Sequence, residues 1–479
     1  MDFVVNALQS GLASLASYLA AHVLLCLVPA FFIAGALSAL VPQQSVVRFL
    51  GPDAPRWIAY PAAAGAGSLL AVCSCTVQPL FAGIYRKGAG LGPAITFLFF
   101  APAANILALS YTGVALGAQF AIARVVLSLC FGVGIGLIMA LLFHRDDVAR
   151  LADAAAFAGD QGIARRSVVF LLALIALLIA GTLKVDLLTA RLVSVDVALP
   201  AAGIAQAQLD LLLPVDTLKG DEGLSLQGVA LIALLAAIGV AAWRGLGKVD
   251  EGFNRWTGVS LWLIAGTLVF AALGVQATAD GLRLTLTGRS VAVALLLASL
   301  LPLARRLDAW DVQQWLWETW RFVRMIFPLL VVGVFLVGVI RVFIRPEWIQ
   351  AIAGANTLGG NLAGVAFGVV MYFPTLVEVP IARMFLSLGM HPGPLIAYLM
   401  ADPELSLQSI LITSAIIGKL KAWTYVGLVA LFATVSGLAY GAWVDGVSIA
   451  WIALGIASFV GILIAALQVV ERLTVPASA

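Results

Sequence analysis

The feature that most limits the fold of this chain is a series of apolar runs, most of them nearly as long as a membrane is thick. A helix needs about 20 apolar residues to cross the hydrocarbon of a bilayer. Of the 479 residues, 62% are hydrophobic and 11% are charged, whereas a soluble domain carries about 25% charged residues. We therefore predict an all-α, polytopic integral membrane protein with about twelve or thirteen spans. The runs are 21–41, 57–74, 91–115, 117–143, 167–183, 228–243, 257–275, 288–303, 325–344, 360–376, 393–417, 423–442 and 447–469.

The distribution of charge predicts an orientation in the membrane. Basic residues cluster in three loops, which the positive-inside rule places in the cytoplasm. The longer, acidic segment 184–227 is then external, and four spans alternate between residues 167 and 303. Residues 1–9 lack the features of a removable signal peptide, so we expect the first span to be retained. The three basic clusters are Arg145, Arg150, Arg165 and Arg166, then Arg244, Lys248 and Arg255, then Arg305, Arg306, Arg321 and Arg324.

The chain contains an internal repeat. A shift of 301 residues lays 73–105 over 374–406 without a gap and aligns five glycines and prolines. We predict two related modules, whose relative orientation, parallel or inverted, stays open. The predicted division is 1–143 for the first module, 144–166 for a cytoplasmic linker, 167–303 for inserted spans, 304–324 for a Trp-rich interfacial amphipathic segment, and 325–479 for the second module with a terminal span.

Prolines recur at equivalent places in the two modules, where we predict breaks or re-entrant turns in the helices. Proline removes a backbone donor and clashes with the preceding turn of a helix. Exposed backbone polar groups are not tolerated against lipid, so such breaks must face protein or a wet cavity. Paired discontinuous helices are typical of the midplane binding site of a transporter, although prolines can also merely bend helices for packing. The predicted break residues are Pro79, Pro102, Pro374, Pro380 and Pro403.

The motif CSCTVQP places two thiols at the first predicted break. Cys73 and Cys75 would diverge on a regular helix, but they can converge on an unwound stretch. Two convergent thiols suit a soft centre such as Cu(I) or trivalent arsenic. We predict a substrate site of these two cysteines with Thr76, Gln78 and Asn105, against the simpler interpretation of cysteines as small packing residues. No resident metal site is predicted, since a closed zinc site needs four ligands.

The second module carries acids where the first carries small residues. Ionisable groups at membrane depth are costly and commonly mark ion paths or proton relays. Glu378, Asp402 and Glu404 are therefore candidates for proton coupling. The order Asp402-Pro403 also has the form of an N-cap followed by a first-turn proline, with Glu404 near the positive end of a helix, and we favour the cap for Asp402.

Several other functions are not indicated. The chain lacks a nucleotide-binding GxxxxGK[ST] motif and the zinc-hydrolase motif HExxH, so we expect neither ATP drive nor an enzyme of those classes. Cys26 and Cys130 are interpreted as packing residues. We expect no cofactor and no nucleic-acid partner. The expected partners are membrane lipid, a small thiophilic solute and protons, and homo-oligomers stay open.

Two blocks of sequence carry a family resemblance. CSCTVQPLFAGIYRKGAGLGPAITFLFFAPAANILAL, from Cys73 to Leu109, resembles the predicted permease family that includes the ArsP-type organoarsenical efflux permeases. MYFPTLVEVP and GMHPGPLIAYLMADPELSL look like the second signature of that family. The resemblance covers 1–143 and 322–444 and implies a multi-pass permease of the bacterial inner membrane. Segment 167–303 departs from the compact members of the family.

The resemblance implies a function without deciding the substrate. Related permeases are described as exporting trivalent organoarsenicals, whereas a sister group with a similar CSC block resembles copper or zinc exporters. Our leading hypothesis is a secondary efflux permease for a thiophilic solute, namely trivalent organoarsenicals, moved by proton antiport. The alternatives are an exporter of a soft or transition metal ion and a membrane thiol-redox enzyme, which the strained spacing of Cys73 and Cys75 disfavours.

Overall fold

The computed structural model describes residues 2–51, 54–69, 74–155, 164–183, 186–212, 224–278, 281–342, 346–370 and 375–474. These residues are almost entirely helical, which confirms the prediction of an all-α membrane protein. A π-helix, Leu19–Leu27, joins the first two α-helices, and a 3₁₀ helix, Leu246–Glu251, follows the thirteenth. The first thirteen α-helices are α1 Asp2–Tyr18, α2 Val28–Leu40, α3 Gln43–Leu50, α4 Arg56–Leu69, α5 Ser74–Arg86, α6 Leu91–Ala103, α7 Ile106–Ala115, α8 Ala118–Leu142, α9 His144–Ala155, α10 Arg165–Thr182, α11 Asp186–Thr189, α12 Pro200–Leu212 and α13 Leu226–Arg244.

The remaining elements include a small antiparallel sheet that the sequence analysis did not predict. The other α-helices are α14 Arg255–Ala272, α15 Gly288–Ala304, α16 Ala309–Arg341, α17 Pro346–Ala353, α18 Leu358–Val370, α19 Thr375–Ser387, α20 Pro392–Leu405, α21 Leu407–Ile417, α22 Lys419–Val444 and α23 Ile449–Thr474. The strands are β1 Arg191–Ala198, β2 Gly274–Thr278 and β3 Gly281–Thr287.

The chain forms two compact units that do not follow the predicted module boundaries. The first unit comprises Met1–Gly51, Leu69–Ala89 and Ala158–Phe343, and the second comprises Pro52–Ser68, Gly90–Phe157 and Ile344–Ala479. Helix α5 of the first predicted module thus belongs to one unit, whereas α6 to α8 belong to the other. The units reflect spatial contact and the modules reflect sequence, so the module boundaries stay a prediction.

The repeat found in the sequence recurs in the elements themselves. Helices α5, α6, α7 and α8 each begin 301 residues before α19, α20, α21 and α22. Gly117 and Gly418, also 301 residues apart, precede α8 and α22 with φ of +105° and +88°. Glycine adopts this conformation without the steric cost that a Cβ imposes. The two modules therefore share their element boundaries as well as their breaker residues.

The helix breaks follow some of the predicted prolines and not others. Helix α6 ends one residue after Pro102, and α20 ends two residues after Pro403, with α20 and α21 bent by 47°. The prediction for Pro79 and Pro380 was wrong, because α5 and α19 continue through them. Each lies sixth in its helix and removes only the bond to the carbonyl four residues earlier. Pro374 lies outside the described residues.

Fewer helices are long enough to span a membrane than the apolar runs suggested. Among the described residues, seven helical segments are long and apolar enough, or eight if the bent pair α20–α21 is one span. They lie at α2, α8, α10, α13, α14, α16 and α22. The predicted count of twelve or thirteen is not reached, because runs such as 91–115 and 360–376 are divided or shortened into helices of 10 to 13 residues.

The inserted segment has the alternation that its charges predicted. Strand β3 pairs antiparallel with both β1, which follows α10, and β2, which follows α14. The sheet therefore brings the loops after α10 and α14 to the same end of this helix group. Gln227 at the start of α13 also donates to the carbonyls of Phe270 and Leu273 at the end of α14, at 2.9 and 2.8 Å. Two spans, α13 and α14, thus lie between the two loops.

The predicted surface segment 304–324 is not a separate helix. From residue 309 it forms the first half of α16, which continues without interruption to Arg341. Trp315 and Trp320 are buried, and Trp315 Nε1 donates to the carbonyl of Phe32 on α2 at 2.9 Å. The correction has a packing cause, since these indoles are covered by protein within the first unit.

Candidate functional site

The start of α5 in the first unit carries two buried polar residues of the predicted substrate site. Thr76 and Gln78 are 0% and 1% exposed. The Sγ atom of Cys26, in the last turn of the π-helix, lies 2.6 Å from Thr76 Oγ1. Segments of π-helix are frequent at functional sites. The interpretation of Cys26 as a packing residue therefore missed its polar contact with the CSCT motif.

The two cysteines of that motif are described only in part. Cys73 lies outside the described residues. Cys75 belongs to the first turn of α5, with its side chain outside the description. Their predicted convergence stays a prediction.

Asn105, in the second unit, bridges the break between α6 and α7. Its Oδ1 accepts from the backbone N–H of Ala108 at 2.9 Å and so caps α7. Its Nδ2 donates to the carbonyls of Ala101 and Pro102 at 3.0 and 3.3 Å. Both ends of the carboxamide are thus bonded to backbone on the two sides of the break. This geometry gives Asn105 a structural role, and its predicted contact with substrate stays a prediction.

A fully buried ion pair lies beside the same break. Arg124 of α8 and Glu378 of α19 are both 0% exposed, with Arg124 Nη2 3.0 Å from Glu378 Oε1. Arg124 Nε donates to the carbonyl of Ala103, the last residue of α6, at 2.8 Å. Its Nη1 donates to Thr112 Oγ1 at 3.2 Å, and Thr112 in turn donates to the carbonyl of Ala108 at 2.7 Å. The guanidinium therefore holds together the end of α6, the middle of α7 and the start of α19.

Helix ends make this position favourable for both charges. The carboxyl end of a helix carries partial negative charge and the amino end partial positive charge. Arg124 contacts the last carbonyl of α6, whereas Glu378 lies in the first turn of α19. Because burial removes the hydration of both ions, the pair depends on these additional partners.

The sequence analysis selected Glu378 but missed Arg124. A signal for it existed, because Arg124 is the single charged residue in the apolar run 117–143. An ionisable residue inside a span indicates a functional site by default. The partner of Glu378, which lies 254 residues away, could be found only in the tertiary structure.

The break between α20 and α21 carries a second buried polar group. Glu404 is 3% exposed, and its Oε2 accepts from the hydroxyl of Tyr425 at 2.5 Å. Gln408, in the first turn of α21, is 1% exposed. Glu404 Oε1 and both polar atoms of the Gln408 side chain are buried without a hydrogen-bond partner among the described residues. The second break therefore has unused hydrogen-bonding capacity.

The predicted cap at Asp402 was wrong. Asp402 and Pro403 lie inside α20, which continues to Leu405, and α21 begins after Ser406. The cap is Ser406, whose hydroxyl oxygen accepts from the backbone N–H of Ser409 at 3.3 Å. A proline in the last turn of a helix has already lost its own N–H, so it ends a helix here instead of opening one. Glu404 consequently lies near the carboxyl end of α20.

The two breaks are related by the repeat. Arg124 and Tyr425 are 301 residues apart, as are Ala103 and Glu404. At the first break Arg124 donates to the carbonyl of Ala103, and at the second Tyr425 donates to the carboxylate of Glu404. Equivalent positions on α8 and α22 therefore contact equivalent positions at the two breaks, with different charge.

Glycine contacts hold these helices close. A Cβ on Gly136 of α8 would lie 2.7 Å from the carbonyl oxygen of Gly92 on α6. A Cβ on Gly437 of α22 would lie 2.6 Å from the carbonyl oxygen of Gly393 on α20. Both pairs are 301 residues apart in the repeat. This close approach positions Arg124 and Tyr425 against the breaks.

Comparison with known proteins gives two matches over most of the chain. The profile of a protein family described as predicted permease matches residues 9–442. The UPF0718 protein MJ0584 of Methanocaldococcus jannaschii is 30% identical over 441 residues, covering 91% of this chain and 96% of the relative. This coverage includes most of the inserted segment 167–303, so that relative shares it. No solved structure matches the chain.

Proposed function

The chain belongs to the predicted permease family, which supports a role in transport, and from this premise we propose that it is a secondary efflux permease for a thiophilic solute. We propose trivalent organoarsenicals as the substrate and the bacterial inner membrane as the location. The observation that carries the proposal is the start of α5. There the thiol of Cys26 contacts Thr76, which directly follows Cys75. Thiols are the ligands that soft centres such as trivalent arsenic prefer.

The proposed site combines soft and polar groups. Cys73 and Cys75 bind the arsenic atom, and Thr76 and Gln78, both buried, line the site. The apolar surroundings accept the organic group of the solute. Alternating access exposes such a site first to the cytoplasm and then to the outside.

Proton entry provides the proposed driving force. Three buried acids, Glu378, Asp402 and Glu404, lie in the second unit. Ionisable groups at membrane depth commonly form proton relays. A change in their protonation biases the equilibrium between the two states of the permease, because each state solvates the acids differently.

The proposal is tested by uptake of methylarsenite into everted membrane vesicles under an imposed proton gradient. We expect gradient-driven accumulation in wild type and a loss of about tenfold or more in the Cys73→Ser/Cys75→Ser variant, which corresponds to at least about 1.4 kcal/mol of binding free energy. Cys130→Ser, which changes an exposed cysteine of α8, is the matched control and should transport normally. Undiminished uptake by the double variant would remove the role of the thiols.

Export of a soft or transition metal ion is the second candidate, and the same thiols favour it. Copper or zinc replaces methylarsenite in the same vesicles. Metal-stimulated proton flux without methylarsenite uptake would favour this candidate, again with loss in the double cysteine variant.

A further inference from the structure

The break between α20 and α21 leaves buried polar atoms unpaired. Glu404 and Gln408 lie on the two sides of the break and are 3% and 1% exposed. Tyr425 occupies one carboxylate oxygen of Glu404, while Glu404 Oε1, Gln408 Oε1 and Gln408 Nε2 lack hydrogen-bond partners in the described part of the chain. A buried polar atom without a partner costs about 1–3 kcal/mol. Such atoms are few in native proteins, and each requires an explanation.

The acceptors at this break are hard oxygens next to a helix carboxyl end. The last carbonyls of a helix have no donor within the helix. Pro403 has no N–H, so the carbonyl of Leu399 also loses its usual donor. Carboxylate, carboxamide and carbonyl oxygens suit hard cations, and the partial negative charge of the helix end adds to the attraction. The chemistry of the break therefore favours a small cation over an anion.

The charges around the two breaks support this distinction. At the first break Glu378 already has a cationic partner in Arg124. At the second break the equivalent of Arg124 is the neutral Tyr425. The buried titratable or charged groups on α20 and the described helices packed against it are Arg124, Glu378, Asp402, Glu404 and Tyr425. The second break thus holds an acid whose described side-chain partner carries no positive charge.

We propose that a small monovalent cation, sodium or hydronium, binds at this break, held by the carboxylate of Glu404 and the carboxamide oxygen of Gln408. The site rests on the proposed transport function and locates its coupling ion. Tyr425 is a positioning residue, because its hydrogen bond orients the carboxylate and leaves Oε1 for the cation. Glu378, neutralised by Arg124, then stabilises the helix arrangement and does not exchange ions.

The test measures cation binding directly, without methylarsenite. Full-length protein in lipid nanodiscs is unfolded by heat across a series of sodium concentrations, with choline replacing sodium at constant ionic strength, and separately across a series of pH values without sodium. We expect a saturable rise of the unfolding midpoint with sodium, or with falling pH if the cation is hydronium. Glu404→Gln and Gln408→Ala should each raise the half-saturating concentration by about tenfold or more.

Glu251→Gln, at an exposed carboxylate of the 3₁₀ helix, is the matched control and should retain the wild-type dependence. If Glu404→Gln does not fold, Gln408→Ala and Tyr425→Phe decide the question, and both should weaken the dependence. A wild-type midpoint insensitive to sodium and pH would overturn the site, as would variants that retain the full dependence. Failure of methylarsenite uptake would leave this measurement unaffected, so the two proposals fail separately.

Discussion

A single buried arginine changes how the acid of the second module is understood. Glu378 considered alone is an ionisable group at membrane depth, which suggests proton exchange. Paired with Arg124 and surrounded by helix ends, it becomes part of a contact that joins three helices. Glu404 has no such cation among the described residues. Two glutamates of the same module thus differ in function because their neighbours differ in charge.

Removing one partner of the Arg124–Glu378 pair should destabilise the protein more than removing both. Arg124→Leu leaves a buried carboxylate uncompensated, and we expect a loss of about 3–5 kcal/mol in the free energy of unfolding. The double variant Arg124→Leu/Glu378→Leu should recover much of that loss, because apolar pairs replace buried ion pairs at little cost. Chemical unfolding in detergent measures both.

Arg150→Ala is a suitable comparison for this cycle, since Arg150 pairs with Asp147 in a partly exposed site at 2.8 Å. Its expected cost is at most about 1 kcal/mol. A double variant at least as unstable as the two single variants combined would contradict the ion-pair interpretation.

At the scale of elements, the breaks are built by local capping and held by close helix crossings. Asn105 and Ser406 cap the second halves of the two broken segments. Gly136 and Gly437 let α8 and α22 approach α6 and α20 so closely that a Cβ has no room. A polar side chain on α8 or α22 can then contact the break without crossing a gap.

Gly437→Ala should loosen the crossing of α20 and α22. The added Cβ would lie 2.6 Å from the carbonyl oxygen of Gly393, and overpacking of this kind costs about 1–3 kcal/mol. Gly427→Ala on the same helix meets nothing within 4 Å, and we expect it to stabilise α22 by about 0.5–1 kcal/mol. The midpoints of thermal unfolding give both effects. Equal midpoints for the two variants would show that the crossing tolerates a Cβ.

At the scale of the whole molecule, the inserted helices join two ends of opposite character. The sheet connects the loops at one end. Arg165, Arg244, Arg255 and Arg305 lie at the opposite ends of α10, α13, α14 and α15. This arrangement agrees with the positive-inside rule, which places the basic ends in the cytoplasm.

Cysteine labelling tests this orientation. Ser194→Cys on β1 and Asp250→Cys in the 3₁₀ helix both place the new thiol at an exposed position. A membrane-impermeant maleimide should label Ser194→Cys in intact cells and Asp250→Cys only in everted vesicles, because the bilayer separates the two positions. Labelling with the opposite preference would reverse the predicted orientation.

Much of the architecture could be predicted from sequence. Apolar runs indicated a helical membrane protein, since hydrocarbon admits few alternatives for backbone polar groups. The 301-residue repeat located four pairs of helices to the residue. The prolines at 102 and 403 located two breaks, because a missing N–H is a property of the residue itself. The predicted span count was wrong, since run length does not show where a run is divided.

The pairing of side chains depended on the tertiary structure. The contacts of Arg124 with Glu378, of Cys26 with Thr76 and of Trp315 with Phe32 join residues 50 to 283 positions apart. Local sequence carries no record of such distances. Whether a buried glutamate faces a guanidinium or a phenol is therefore decided by helix packing, and that choice determines its charge environment and its proposed function.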